Sequence, residues 1–216
     1  PGLGRVRADA ALMRELPDDS GSGEIQSYLT THPSRHHFAA WLNSDVMRHT
    51  DPMIQLRPYS PTDTDAIAAV ILPIQQHEFG IPITIEAQPD LRNVQEFYQH
   101  GSGNFWVAEV EGRIVGTIAL LDIGNGDAAL RKMFVSESFR GKEHGVAQRL
   151  LQELLKWAGE KQLRRVYLGT TEQFLAAHRF YEKNGFLQIA KSDLPDSFPV
   201  MSVDTKFYCL SLQTAA

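Results

Sequence analysis

The chain has 216 residues, 43% of them hydrophobic, and a formal net charge of −5, enough for one sizeable core plus an appendage and without the basic excess of a nucleic-acid binder. Its single cysteine, Cys209, excludes an internal disulfide and a Cys-rich zinc site and fits a reducing compartment. No run of about 18 apolar residues offers a membrane span, and the opening PGLGRVRADAALMREL lacks the apolar stretch of a secretory signal. A cytoplasmic protein with no membrane or nucleic-acid partner is expected.

Residues 1–52 differ in texture from the rest and read as an appendage of unknown role. Pro17 to Gly23 is turn-rich, and Ser34 to Met47 has the spacing of a short helix capped by Ser34. His32, His36 and His37 cluster there, but no cysteine or paired carboxylate completes a metal-ligand set, so no metal is expected. The chain opens on Pro1 rather than Met, which fits a fragment or further upstream sequence. Residues 53–216 form the compact domain.

From Met53 the pattern is regular. Ile54 to Tyr59 alternates like a strand, and Thr62 or Asp63 caps a helix running to about Gln76. Ile81 to Pro89 is irregular, and Leu91 to Tyr98 reads as a second short helix. Asn104 to Val110 and Arg113 to Asp122 are strands joined by the hairpin turn Glu111-Gly112. Ala128 to Val135 is the next strand. Gly145 to Lys161 is a long helix, with Val146, Leu150, Leu151, Leu154, Leu155 and Ala158 on its buried stripe. Arg165 to Leu168 is a short buried strand, and Gln173 to Lys183 a helix stopped by Asn184-Gly185. Phe186 to Ala190 and Val203 to Leu212 are the last strands. The order is mixed α/β, with hairpins first and a strand–helix–strand–helix–strand run after them.

The stretch Phe134 to Leu151, FVSESFRGKEHGVAQRLL, carries the chemistry. A strand feeds a glycine-bearing basic turn, Arg140 to Gly145, and a helix starts there. Unpaired N–H groups and the positive end of the helix dipole make such a start an anion site, most often for phosphate. A nucleotide-binding NTPase is the weaker reading, because the P-loop run is absent: Gly141 and Gly145 are too close together, and Val146 stands where the lysine should be.

This order, with these residues, resembles the GNAT superfamily of acetyl-CoA-dependent N-acyltransferases over about Ile54 to Leu212. The family's pyrophosphate loop, Q/R-x-x-G-x-G/A, is matched by Lys142-Glu143-His144-Gly145-Val146-Ala147, with Glu143 and His144 inserted relative to the commoner Arg-Gly-Lys-Gly-x-Gly spelling. Ala177-His178-Arg179-Phe180-Tyr181-Glu182-Lys183-Asn184-Gly185-Phe186 matches the family's A-x-x-x-Y-E-K-x-G-F element. Phe198 to Tyr208 is similar to the closing hairpin of one bacterial branch of small members. The resemblance implies a mixed, mostly antiparallel sheet of six to seven strands, helices on both faces, splayed at the fourth strand.

It also implies direct attack of an amine on the thioester of acetyl-CoA, the co-substrate. Backbone at Met133, Phe134 and Val135 would pair with the pantetheine amides. The turn of Arg140, Gly141, Lys142, Glu143, His144, Gly145, Val146 and Ala147 would take the pyrophosphate, and Tyr181 would protonate the leaving thiolate. Phe174 stands where many members carry an asparagine, and Thr170 and Thr171 are the candidates to replace its contact. His178 shares a helix face with Tyr181, as a polar contact or as a surface residue. For the base, Glu172, Glu78, His77 and Glu137 are candidates, alongside a water chain. The acceptor is expected to be a primary amine of a small molecule or peptide. Glu78, Glu86, Asp90 and Glu96 tilt its expected binding region acidic, toward a cationic amine. A homodimer is compatible with the family. The competing reading is a non-catalytic acyl-CoA-binding module.

Overall fold

A computed structural model describes residues 53–212; the helix and histidine cluster expected within 1–52 lie outside the described residues. Seven strands form one sheet: β1 (Gln55–Pro58), β2 (Asn104–Val110), β3 (Arg113–Asp122), β4 (Asp127–Val135), β5 (Arg165–Thr170), β6 (Leu187–Ile189) and β7 (Lys206–Ser211). Their order across the sheet is β1-β2-β3-β4-β5-β7-β6, and every pairing is antiparallel except β4 with β5.

Strict alternation along β2 sends its side chains to two different layers. Phe105 and Val107 meet α1 (Thr64–Pro73), α2 (Pro89–Arg92) and α3 (Val94–Tyr98) through Ile67, Ile71, Leu91, Val94 and Tyr98. Trp106, Ala108 and Val110 face the opposite layer, where α4 (Val146–Glu160) lays down Val146, Leu150, Leu151, Leu154 and Ala158. The last helix, α5 (Leu175–Lys183), packs Tyr181 into that second layer. Helices therefore cover both faces. A smaller third cluster of Ile123, Ala129, Tyr167, Phe198 and Phe207 seats the 190–205 segment on the sheet, on the face opposite α4.

The strands follow the expected spans closely, whereas two helices differ. The first begins as a 3-10 turn, Pro61–Asp63, becomes α1, and ends as a π-turn over Ile74–Glu78. Pro73 has no N–H to give the α-helical ladder, and Phe79 N–H bonds back to Ile74 O at 3.2 Å. The expected Leu91–Tyr98 helix is two short pieces, because Asn93 sits at φ −139°, ψ 60°. At the N-terminal end Arg57 on β1 donates to both Asp63 carboxylate oxygens, at 2.7 and 2.9 Å, and Asp63 also takes the Ser60 N–H at 2.8 Å. This clamps strand to helix, and the Arg57 hydrogen bonds hold the Asp63 carboxyl below the usual carboxylate range.

Candidate active site

β4 and β5 pair at only three positions, Asp127↔Arg165, Ala128↔Val166 and Ala129↔Tyr167. Arg165 locks that end, donating to both oxygens of the buried Asp127 at 3.0 and 2.8 Å. Beyond Ala129 each strand stays with its outer neighbour: β4 with β3 as far as Val135, β5 with β7 as far as Thr170. Leu130 to Val135 thus present a strand edge to an opening rather than to a strand, the sheet edge through which an extended chain can be bound.

A bulge sharpens the divergence. The β3–β4 register shifts between Thr117 and Ala119, and Lys132 takes the left-handed backbone conformation at φ +51°. A non-glycine residue there costs about 1–2 kcal/mol. The displaced Lys132 carbonyl is satisfied by the hydroxyl of the fully buried Thr117, at 2.7 Å.

Tyr181 stands in the wall of the opening. Leu130, Met133, Leu168, Thr170 and Ala177 line the cleft with it, and its hydroxyl lies 3.6 Å from Met133 Sδ. Burial pushes this phenol far above its ordinary acidity range, so it is protonated at neutral pH. Phe134 lines the same cleft, and Val135 ends the strand, buried. The cleft encloses about 180 Å³, less than the roughly 300 Å³ of a pocket for a drug-sized ligand. It suits the end of a long ligand and a small partner.

The turn from Arg140 to Ala147 leads from β4 into α4. Gly145 is the N-cap in the left-handed conformation at φ +63°, and its carbonyl accepts the Arg149 N–H at 3.0 Å. The N–H groups of Val146, Ala147 and Gln148 are the first of the helix and have no intrahelical acceptor. Gly141, Lys142 and Glu143 are exposed, and His144 rests on Phe139 with ring centroids 5.7 Å apart. Arg140 is engaged elsewhere: Nε donates to Val135 O, and both terminal nitrogens bond Glu78, each at 2.7 Å.

Thr171 follows β5 at the cleft, and its carbonyl lies 2.8 Å from His178 Nε2. His178 is buried, not at the surface, and ties the first turn of α5 to the end of β5. Phe174 stacks on Phe79, with centroids 3.9 Å apart, and lines the cleft. None of the candidate bases lines that cleft. Glu78 is paired with Arg140, and His77, Glu137 and Glu172 are exposed.

The opposite side of the opening carries polar residues that, Asp90 apart, sequence reasoning did not single out. Lys132 Nζ is 3.1 Å from Asp90 and 2.7 Å from Gln88 Oε1, while the Tyr98 hydroxyl donates to Asp90 at 2.5 Å. Burial pushes the pKa of the Lys132 ammonium below its ordinary value, and Asp90 opposes the shift. Gln75, set by the π-turn, exchanges amide bonds with Gln88 at 2.9 and 3.3 Å. Asp90 is therefore used internally, and Glu86 and Glu96 point to solvent. The charged residues lining the cleft are Arg131, Lys132 and Asp204, and none of Glu78, Glu86, Asp90 and Glu96 lines it. Alternation along β4 would have placed Arg131 opposite Leu130, but nothing in the local sequence marks a partner for it.

A solved GNAT-family acetyltransferase from Staphylococcus aureus Mu50 superposes with a TM-score of 0.71 at 37% identity, over 74% of this chain and 100% of that one. An uncharacterized N-acetyltransferase, YjgM, of Escherichia coli K12 is 33% identical over 150 residues, 63% of this chain and 88% of that one. The N-acetylaspartate synthetase of Xenopus tropicalis is 36% identical over 104 residues, 46% of this chain. The match spans only 37% of that protein's length. Residues 70–186 match the Acetyltransferase (GNAT) family, and the chain belongs to that family.

Proposed function

We propose that this protein moves an acetyl group from acetyl-CoA to a primary amine of a small molecule or peptide, with Tyr181 as the general acid. One observation carries the reading: β4 and β5 part after Ala129, and the parted edge has Tyr181 in its wall and the start of α4 beyond its end. The strand edge at Met133, Phe134 and Val135, where Val135 O already accepts Arg140 Nε, suits the amide groups of a pantetheine arm. The turn 140–147 suits a diphosphate, with the N–H groups of Val146 and Ala147 and the charge of Lys142 as donors. Thr171 lies where the arm would pass.

Bound this way, the thioester carbonyl meets the acceptor amine inside a small cleft, where orientation and preorganised polar groups both lower the barrier. The amine nitrogen forms the C–N bond, the C–S bond breaks, and the sulfur needs a proton. Tyr181, protonated and buried, can give it and recover one from the nitrogen. The names of the N-acetylaspartate synthetases support an amino acid as one form of the amine.

The test pairs binding with turnover. Acetyl-CoA should raise the melting temperature, and an amine panel should include compounds that release free thiol. Tyr181→Phe should lower kcat by about 100-fold or more while leaving the acetyl-CoA shift intact. A melting shift with no thiol release from any amine would favour the acyl-CoA-binding module.

A further inference from the structure

Asp204 and Arg131 face each other across the parted strands, on the side away from α4. Along β5, Val166 and Leu168 belong to the α4 layer while Tyr167 belongs to the opposite one, so Gly169 is turned to that opposite side. Gly169 has no side chain, and Asp204 fills the space: a Cβ there would lie 2.4 Å from Asp204 Oδ2. Any other residue at 169 would force the Asp204 carboxylate to shift. Asp204 is held by a tight turn, its Oδ2 accepting the Met201 N–H at 2.9 Å and its own N–H reaching Met201 O at 3.0 Å.

On β4, Ala129 belongs to the same side as Tyr167, and Arg131 follows it two residues on. Its guanidinium reaches Met201 Sδ at 2.9 Å, and it has no carboxylate partner among the described residues. A sulfur is a weak acceptor and leaves most of the five N–H donors uncommitted. Lys132, by contrast, is already neutralised by Asp90. Both Arg131 and Asp204 line the cleft that Tyr181 lines from the other side.

We infer that Asp204 is the base that takes the proton from the acceptor's ammonium, and that Arg131 binds a carboxylate on the same acceptor, which is therefore an amino acid or a similar amino-carboxylate. The inference rests on the acetyl-transfer reading above. The acceptor arrives as an ammonium, and Asp204 removes one proton and passes it to solvent. The freed lone pair attacks the thioester carbon. When the C–S bond breaks, the second proton lost by nitrogen ends on sulfur through Tyr181. Two protons leave the nitrogen, one reaches bulk water and one makes the thiol.

Burial raises the Asp204 carboxyl above its ordinary value, with the Met201 N–H and the Arg131 charge holding it back, which moves it toward a useful base strength. Arg131 is the charge that acts on it, Lys132 and Tyr181 line the same cleft, and β5 contributes only the non-titrating Leu168, Gly169 and Thr170 there. Arg131 and Tyr181 do not titrate in acid.

The experiment compares glycine, L-alanine, L-aspartate and L-glutamate with L-alaninamide, propylamine and spermidine, reading thiol release and acetyl-CoA melting shift together. Only the carboxylate-bearing amines should turn over. Arg131→Met should raise their KM about 10- to 100-fold, the worth of charge-assisted hydrogen bonds, and Arg131→Lys should recover part of it. Asp204→Asn keeps an acceptor for the Met201 N–H; it should cut kcat about 100-fold or more and abolish the fall in kcat/KM on the acid side. Both variants should keep the acetyl-CoA shift, which controls for folding. Turnover of propylamine or spermidine but of no carboxylate-bearing amine overturns the inference and leaves acetyl transfer standing. An unchanged kcat and acid limb in Asp204→Asn overturns it equally. Absence of thiol release from all seven amines removes both readings.

Discussion

At the residue scale the turn proposed to take the diphosphate holds an unexpected competition. The sequence places Arg140 beside the expected diphosphate, yet its guanidinium is bound by Glu78, 62 positions earlier in the chain. Both side chains are about a third exposed, at 39% and 32%, so the pair is worth at most about 1 kcal/mol. If Arg140 serves phosphate, it must first leave Glu78. Glu78→Gln should therefore tighten acetyl-CoA binding by about 2- to 5-fold, measured by calorimetry at low salt. An unchanged dissociation constant would make Arg140 a structural tie between the π-turn and β4. Neither the Glu78 contact nor the Gly169–Asp204 fit could be read locally, because each joins segments that only the folded sheet brings together.

At the element scale, period-2 alternation made the strands legible to within a few residues, since each strand divides its side chains between two layers. Helix ends were less legible. Ile74 continues the apolar spacing of α1, which hides the change to π geometry that Pro73 imposes and that delivers Gln75 to the cleft. Asn93 likewise breaks a pattern that looked continuous. The strand-to-helix clamp of Arg57 and Asp63 makes a separate, testable contribution. A carboxyl whose folded value is depressed adds stability that is complete above its unfolded value of about 4 and is lost as pH falls through the lower folded value. Asp63→Asn should destabilise the protein by about 2 kcal/mol at pH 7. It should also flatten the loss of stability below about pH 4. Urea melts at pH 7 and at acid pH measure both, and equal destabilisation at the two pH values would remove the clamp from the acid response.

At the scale of the whole molecule, the fold was legible because two short motifs, separated by a buried strand, tied the chain to a family whose sheet is known to part. The parting itself has no local signature. It arises because β4 and β5 are each held by a different neighbour, and because the Lys132 bulge turns β4 away once the Asp127–Arg165 lock is passed. No described helix is long and apolar enough to cross a membrane, and both faces of the sheet are covered, so the gap between these strands is the distinctive surface of residues 53–212. The most direct measurement is amide hydrogen exchange, resolved by residue, with and without acetyl-CoA. New protection should appear in two stretches, Leu130–Val135 and Arg140–Gln148, with the rest of the sheet unchanged. Protection confined to other regions, or none along β4, would contradict cofactor binding along the parted edge.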